Sequence, residues 1–331
     1  MPGNAAGQSG SRQELDIRQL RYFVAIVEAK SVSTAAQRVH VAQPSLSQHV
    51  RQMEAELGTT LLVRGPRGVV PTEAGLRMFR HAKQILDHFQ TAVDEIRGSQ
   101  VQPAGEVRFG ISPTVGEVLS APLVMELQRA FPLVRLCLVE AMSGYLLDWL
   151  REGRLDLATI YRQAEAQHVT CGHVLTEQLC LIGPTNVKLT EIAPGVVDFA
   201  SIARKPLIVP TSANGLRELI DESAARDKIE LNILAEMDAY SQIKSLCASG
   251  FGYSILPRVS LRGELESKQL QAWTIANPTI ERSLYIAYPT NRPLSNAGVV
   301  VDRLCRQLIG ELVHSNKWPA ELPPEMQKEG G

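Results

Sequence analysis

A chain of 331 residues exceeds what one ordinary core holds, so its length asks for two or three compact units. With 44% hydrophobic and 21% charged residues and a formal net charge of −1, the composition is that of a globular protein and excludes one that coats nucleic acid along its whole length. The charge is uneven: the first hundred residues carry 12 Lys and Arg against 9 Asp and Glu, the remainder 22 against 26, which suits a small basic module joined to a neutral-to-acidic one.

Met1 to Glu14 is rich in Gly, Ser, Gln and Asn without an apolar core, and reads as a disordered leader rather than a secretory signal. From Asp16, a plausible N-cap, Leu20, Phe23, Val24 and Val27 fall on one helical face. Ser33 is expected to cap a short helix containing Ala35, Ala36 and Val39. Pro44 then suits the first turn of a third helix, in which Leu46, Val50, Met53 and Leu57 form an inward stripe that Gly58 ends. Leu61-Leu62-Val63, a turn through Arg64 and Arg67, and Val69-Val70 read as two short strands with a basic tip. Thr72-Glu73 opens a helix to about Arg97, with Phe79, Ala82, Leu86, Phe89, Val93 and Ile96 at three-and-four spacing. That stripe reads as a dimer seam, the alternative being a face packed on its own domain. Residues 99–105 read as a linker.

Beyond Glu106 short apolar strands alternate with helices. Val107–Ile111, Val134–Val139 and Leu155–Ile160 read as buried strands separated by helices around 116–130 and 144–152, the pattern of a parallel doubly wound sheet. A second set follows in Val174–Ile182, Leu207–Val209, helices after Asn214 and around 239–249, and Gly252–Leu256. The chain returns through Leu284–Ala287 and a helix near 296–312. From Lys317 the tail, with Pro319, Pro323 and Pro324, is expected to be loose. The five cysteines (137, 171, 180, 247 and 305) are odd in number and form no C-x-x-C pair, which argues for a reducing, cytoplasmic setting. No apolar run is long enough to cross a bilayer, so no membrane partner is expected.

The first three helices with the two strands have the order of a helix-turn-helix and wing. Fixing the third helix by its apolar stripe leaves Gln43, Ser45, Ser47, Gln48 and Arg51 to face outward, where Gln can pair with adenine and Arg with guanine or phosphate. Arg64 and Arg67 on the wing are placed to meet backbone or minor groove. The competing reading is an ordinary helical bundle with solvated polar residues.

Ser33-Thr34-Ala35-Ala36-Gln37-Arg38-Val39-His40-Val41-Ala42-Gln43-Pro44-Ser45-Leu46-Ser47-Gln48 closely resembles the DNA-binding signature of the LysR family of bacterial transcription regulators. The resemblance continues through Met53–Gly58, Leu62-Val63-Arg64 and Pro71–Gly75. It extends to Gly105–Ile111, Leu150–Ala158 and Gly250–Pro257, and so covers about residues 16–312. Within the family the chain is most similar to the nitrogen-assimilation-control branch. The resemblance implies base contacts from Gln43, Pro44, Ser47 and Gln48, with Arg67 on the wing. It implies dimers through the 73–97 helix assembled to tetramers, an interrupted inverted repeat in double-stranded DNA, and contact with RNA polymerase.

Taken with the resemblance, the architecture expected is multidomain: an all-α-rich winged helix-turn-helix and long linker helix, then a two-lobed α/β sensor like a periplasmic binding protein. The boundaries are a leader (1–15), the DNA-binding domain (16–72), the linker and dimerisation helix (73–97), a hinge (98–105), a first lobe (106–162 with 268–312), a second lobe (163–267) and a flexible tail (313–331). Ligands of such sheets sit at the carboxyl ends of strands, near helix N-termini. Ser112 and Thr114, Ser143, Tyr161, and Thr211 with Ser212 occupy those places, which in the family line an effector cavity; as plain helix caps they would carry no ligand. Family members often carry Arg near the Tyr161 position, whereas here Arg162 is its neighbour, which leaves the ligand's charge open. A small organic acid is the effector expected; a regulator controlled by its own abundance and a solute-binding protein are the alternatives.

Other signals point nowhere specific. His168, Cys171, His173 and Cys180 lack structural-zinc spacing, so no metal is expected. The peroxide-sensing branch keeps its cysteine pair after the strand matching Leu207–Val209, where this chain has none. Ser241-x-x-Lys244 has no partner motif, no phosphate loop or nucleophile elbow occurs, and neither cofactor nor enzyme activity is expected.

Overall fold

The computed structural model describes residues 15–65, 68–97, 102–161, 169–212 and 214–327. They form two compact units, Met1–Gly98 and Ser99–Gly331.

The first unit runs α1 (Ile17–Ala29), α2 (Val32–Arg38), α3 (Gln43–Leu57), β1 (Leu62–Gly65), β2 (Gly68–Pro71) and α4 (Glu73–Arg97). Asp16 starts α1 with a reciprocal capping box to Gln19. Ser31, not Ser33, caps α2, because its extended backbone lets Oγ accept from the Thr34 amide. Leu46, Val50 and Met53 are buried as expected, but Leu57 is 42% exposed. The last turn of α3 runs past the core, which closes at Met53 and Leu61. The antiparallel β1–β2 hairpin presses on α1: the Val69 amide donates to the Lys30 carbonyl at 2.9 Å. Gly68 (φ +104°) allows this, since a Cβ there would collide with the same carbonyl.

The stripe on α4 divides into two parts. Ala82 is fully buried, and Phe79 and Leu86 pack beside it on Leu20, Phe23, Val24 and Val27. Further along, Phe89 is 44% and Ile96 87% exposed. Phe79 and Leu86 are thus partly buried against their own unit, and Phe89 and Ile96 are the exposed members of the expected seam. The reason is proximity in sequence: Thr72, whose Oγ1 caps α4 at Gly75, keeps the first turns against β1.

The second unit runs β3 (Gly105–Ile111), α5 (Pro113–Ala130), β4 (Val134–Glu140), α6 (Ser143–Arg151), β5 (Leu157–Ile160), β6 (Val169–Pro184), β7 (Val196–Asp198), α7 (Phe199–Ile202), β8 (Leu207–Val209), α8 (Gly215–Arg226), β9 (Ile233–Glu236), α9 (Tyr240–Ala248), β10 (Ser254–Pro257), a 3-10 turn (Arg258–Leu261), α10 (Arg262–Glu266), β11 (Leu270–Ala276), β12 (Glu281–Pro289), α11 (Asn296–His314) and α12 (Pro324–Gln327). The sheet order is β4-β3-β5-β12-β6-β11-β7, with β10 also on β6; β8 and β9 form a separate parallel pair. β3, β4 and β5 are parallel, whereas β12 is antiparallel to β5 and β6.

β6 belongs to both lobes. Its first part, Val169–Gln178, pairs with β12, and its second, Leu179–Pro184, with β10 and β11. Two cores result, one around α5, α11 and β3, the other around α8, α9 and β11. The lobe boundaries expected from sequence move accordingly. Residues 270–276 pair with the second part of β6 and with β7, so they lie in the second lobe, and 169–178 lie in the first.

The tail expected to be loose is packed through Gln327. Trp318 has no exposed surface, and Leu322 and Met326 enter the core of the first lobe. Glu321 exchanges two backbone hydrogen bonds of 2.8 Å with Thr176. Three apolar residues at four-residue spacing supply burial that the intervening prolines do not prevent.

Candidate functional site

On α3, Gln43, Pro44, Gln48 and Arg51 are exposed and Ser45 is half-buried. Pro44 lies in the first turn, where a missing N–H costs nothing. Ser47 is the exception: it is only 7% exposed, and Arg64 on the wing donates to its Oγ at 3.1 Å. At about 100° per residue Ser47 sits only about 60° from the inward Val50, so the flank of the stripe encloses it. The expectation that it faces outward with Gln48 is thus corrected, and Arg64 acts as a tie between wing and helix. Glu54 ties the same two elements, accepting from the amides of Leu61 (2.8 Å) and Leu62 (3.0 Å). Arg67 lies outside the described residues. The result is a polar helix face held rigidly beside a short hairpin.

In the second unit Ser112 and Ser143, both among the expected site residues, and Asn214 and Tyr240, which are not, stand where helices begin. Ser112 precedes α5, Ser143 opens α6, Asn214 precedes α8, and Tyr240 opens α9. Asn214 caps its helix, whereas the N-cap residues of α5, α6 and α9 make no side-chain cap hydrogen bond. Asn214 Nδ2 reaches Met142 Sδ at 3.3 Å, joining one lobe to the other. Ser143 Oγ accepts from the Tyr161 amide at 3.4 Å. Thr211 is committed to Asp238 (2.9 and 3.1 Å), and Ser212 is exposed. Ser112 is 4% exposed, and its Oγ has no partner among the described residues.

Beneath these helix starts lie buried charges that local motifs did not reveal. Arg282 on β12 faces Glu177 on β6, both buried, with Nε and Nη2 at 2.9 and 2.8 Å from Oε1. Arg282 Nη2 also donates to Thr114 Oγ1 at 3.0 Å, and the guanidinium lies 3.6 Å from the centroid of the Tyr161 ring. Since Arg282 can only donate and a carboxylate only accept, the chain of protons is fixed. Thr114 donates to Tyr161 Oη (3.1 Å), which donates to Glu177 Oε1 (3.1 Å). Burial pushes the Tyr161 hydroxyl above its usual range, keeping it a donor. Glu177 Oε2 accepts from Trp318 Nε1 at 2.9 Å. Arg282 Nη1 makes no hydrogen bond among the described residues. Thr114 and Tyr161 therefore hold Arg282, and Ser112 remains uncommitted.

His173 Nε2 is occupied by the Leu175 carbonyl and Thr176. No group of three His, Cys, Asp or Glu among the described residues could hold a metal ion, and His168 lies outside them. No helix among them is long and apolar enough to cross a membrane.

Two family models match the chain: the bacterial regulatory helix-turn-helix protein of the lysR family over residues 17–76, and the LysR substrate binding domain over 100–308. The nitrogen assimilation regulatory protein nac of Escherichia coli K12 is 30% identical over 307 residues, covering 92% of this chain and 99% of that protein. Its counterpart in Klebsiella aerogenes is 29% identical, covering 89% and 95%. Among solved structures, full-length OxyR from Pseudomonas aeruginosa has a TM-score of 0.69 at 24% identity, covering 89% of this chain and 98% of that one. Full-length BenM has a TM-score of 0.56 at 22% identity, covering 94% and 100%. Both share the fold.

Proposed function

The chain belongs to the LysR family, and from that premise we propose how a DNA-binding transcription regulator with an effector-binding domain uses these residues. It is a regulator and not an enzyme. Gln43, Pro44, Ser45, Gln48 and Arg51 read the major groove, while Arg64 holds the wing and Ser47 in register with the helix and Arg67 follows the backbone. Phe89, Val93 and Ile96 supply the α4 seam of a dimer, two dimers form the tetramer, and the operator is an interrupted inverted repeat. RNA polymerase is the partner at the promoter.

The effector is a small organic acid bound between the lobes. The observation that carries this is the buried Ser112 hydroxyl at the start of α5, without a partner among the described residues, two residues from Thr114, which accepts from Arg282 Nη2. A carboxylate supplies acceptors for the hydroxyl and the guanidinium and suits a helix N-terminus. A ligand shifts the regulator only by binding one lobe arrangement better than another. Titrating full-length protein with a panel of organic acids, read by thermal shift, should give a hit that Ser112→Ala weakens about tenfold, the loss of one buried hydrogen bond. Silence across the panel would count against the acid, and with tight binding to its own upstream DNA would favour control by abundance.

A further inference from the structure

Glu177 draws its donors from several elements, and one comes from the segment that follows α11. Oε1 holds Arg282 and Tyr161; Oε2 is held by Trp318 Nε1. The segment is also docked beyond that contact. Glu321 is paired through its backbone with Thr176, the residue before Glu177, and Leu322 and Met326 share a core with Trp318. Glu177 and Arg282 stand opposite each other one residue from the point where β6 passes from β12 to β10 and β11. A buried carboxylate oxygen without a donor is costly, so the indole N–H fixes the plane of the carboxylate. That plane decides where Oε1 lies, and Oε1 holds the Nε and Nη2 edge of the guanidinium.

We propose that Trp318 is the positioning residue of Arg282: through Glu177, the C-terminal segment sets the orientation of the guanidinium that receives the effector's carboxylate. Undocking the segment and losing the arrangement ready for ligand are then one event. The proposal rests on the reading of the cleft given above, but its test needs no effector.

The test treats full-length protein with phenylglyoxal, which modifies arginine side chains, and reads the rate at each arginine by peptide mass mapping. Arg282 reacts slowly in the wild type. In Trp318→Phe, which keeps an aromatic ring and deletes the N–H, its rate rises about tenfold, as expected when a buried charged group loses one hydrogen bond. Arg217, also buried and paired with Asp221 and Glu236 in the second lobe, keeps its rate. Leu322→Ala loosens the docking without touching the carboxylate and raises the Arg282 rate in the same direction. A fast Arg282 in the wild type, an unchanged rate in both variants, or a joint rise of Arg282 and Arg217 overturns the proposal. Failure of the effector reading looks different: no acid binds, yet Trp318→Phe still unmasks Arg282.

Discussion

Replacing both members of the Arg282–Glu177 pair should cost no more than replacing either one alone. Each side chain is within a few per cent of complete burial, so each depends on the other for its charge. Removing one partner of such a pair costs about 3–5 kcal/mol, because the survivor is left charged and unpaired in a poorly polarisable medium. Glu177→Gln and Arg282→Met should each lose that much, and additivity would put the double variant at ~6–10 kcal/mol, comparable with the whole stability of a domain. The double variant buries no charge, and the Gln carbonyl still accepts from Trp318. Its cost should be ~2–4 kcal/mol, chiefly the hydrogen bonds lost at Thr114 and Tyr161. A coupling of about 5 kcal/mol follows. Urea unfolding followed by tryptophan fluorescence measures all four corners of the cycle. Single variants costing under about 1 kcal/mol, or costs that simply add, would refute the claim that each charge is neutralised by the other.

Gln48→Ala should bring specific and random DNA closer in affinity, with ~1–3 kcal/mol of discrimination lost at one base pair, whereas Arg64→Met should weaken both; fluorescence anisotropy on the two duplexes distinguishes them. Phe89→Asp with Ile96→Asp should convert oligomer to monomer by light scattering at unchanged helicity, while Ala82→Asp should unfold the first unit. On α5, Glu117 lies 3.3 Å from Lys244, yet burial outweighs that cation and raises the Glu117 pKa. A carboxyl group whose pKa rises on folding contributes most at pH below its ordinary value and loses that contribution as pH climbs through the raised one. The stability of wild type relative to Glu117→Gln should therefore fall with pH just above the ordinary carboxylate range and then level; a difference that grows would show that Lys244 prevails.

The helix-turn-helix could be read from sequence because its elements are local: apolar spacing, Asp16, Pro44 and Gly58 each act within one or two turns. The strands of the first lobe were legible for the same reason. Ser47 was misplaced because a residue beside an apolar stripe can face either way until a neighbour, here Arg64, settles it. The centre of the cleft was hidden because its members meet across long separations. A signal was nonetheless present: in β12 Arg282 has the parity of the buried Leu284 and Ile286, and in β6 Glu177 has that of Leu175 and Leu179. Two opposite charges on apolar strand faces ask for each other. In the tail Pro319, Pro323 and Pro324 interrupt regular structure, but Trp318, Leu322 and Met326 at four-residue spacing are buried all the same.

The sixteen-residue β6 decides which parts of this protein are interchangeable. The DNA-binding unit precedes residue 99 in the chain, so grafting it onto another sensor needs one cut. Exchanging a single lobe would need a cut in the connection between β11 and β12 and another through the middle of β6, where foreign backbone would be spliced into a strand that pairs with β12 in one lobe and with β10 and β11 in the other. Recombination among relatives should thus have shuffled heads freely and passed lobes on only as pairs. A designer of hybrid biosensors inherits the same constraint: new ligand specificity has to be introduced by substitutions within the cleft or by importing both lobes together.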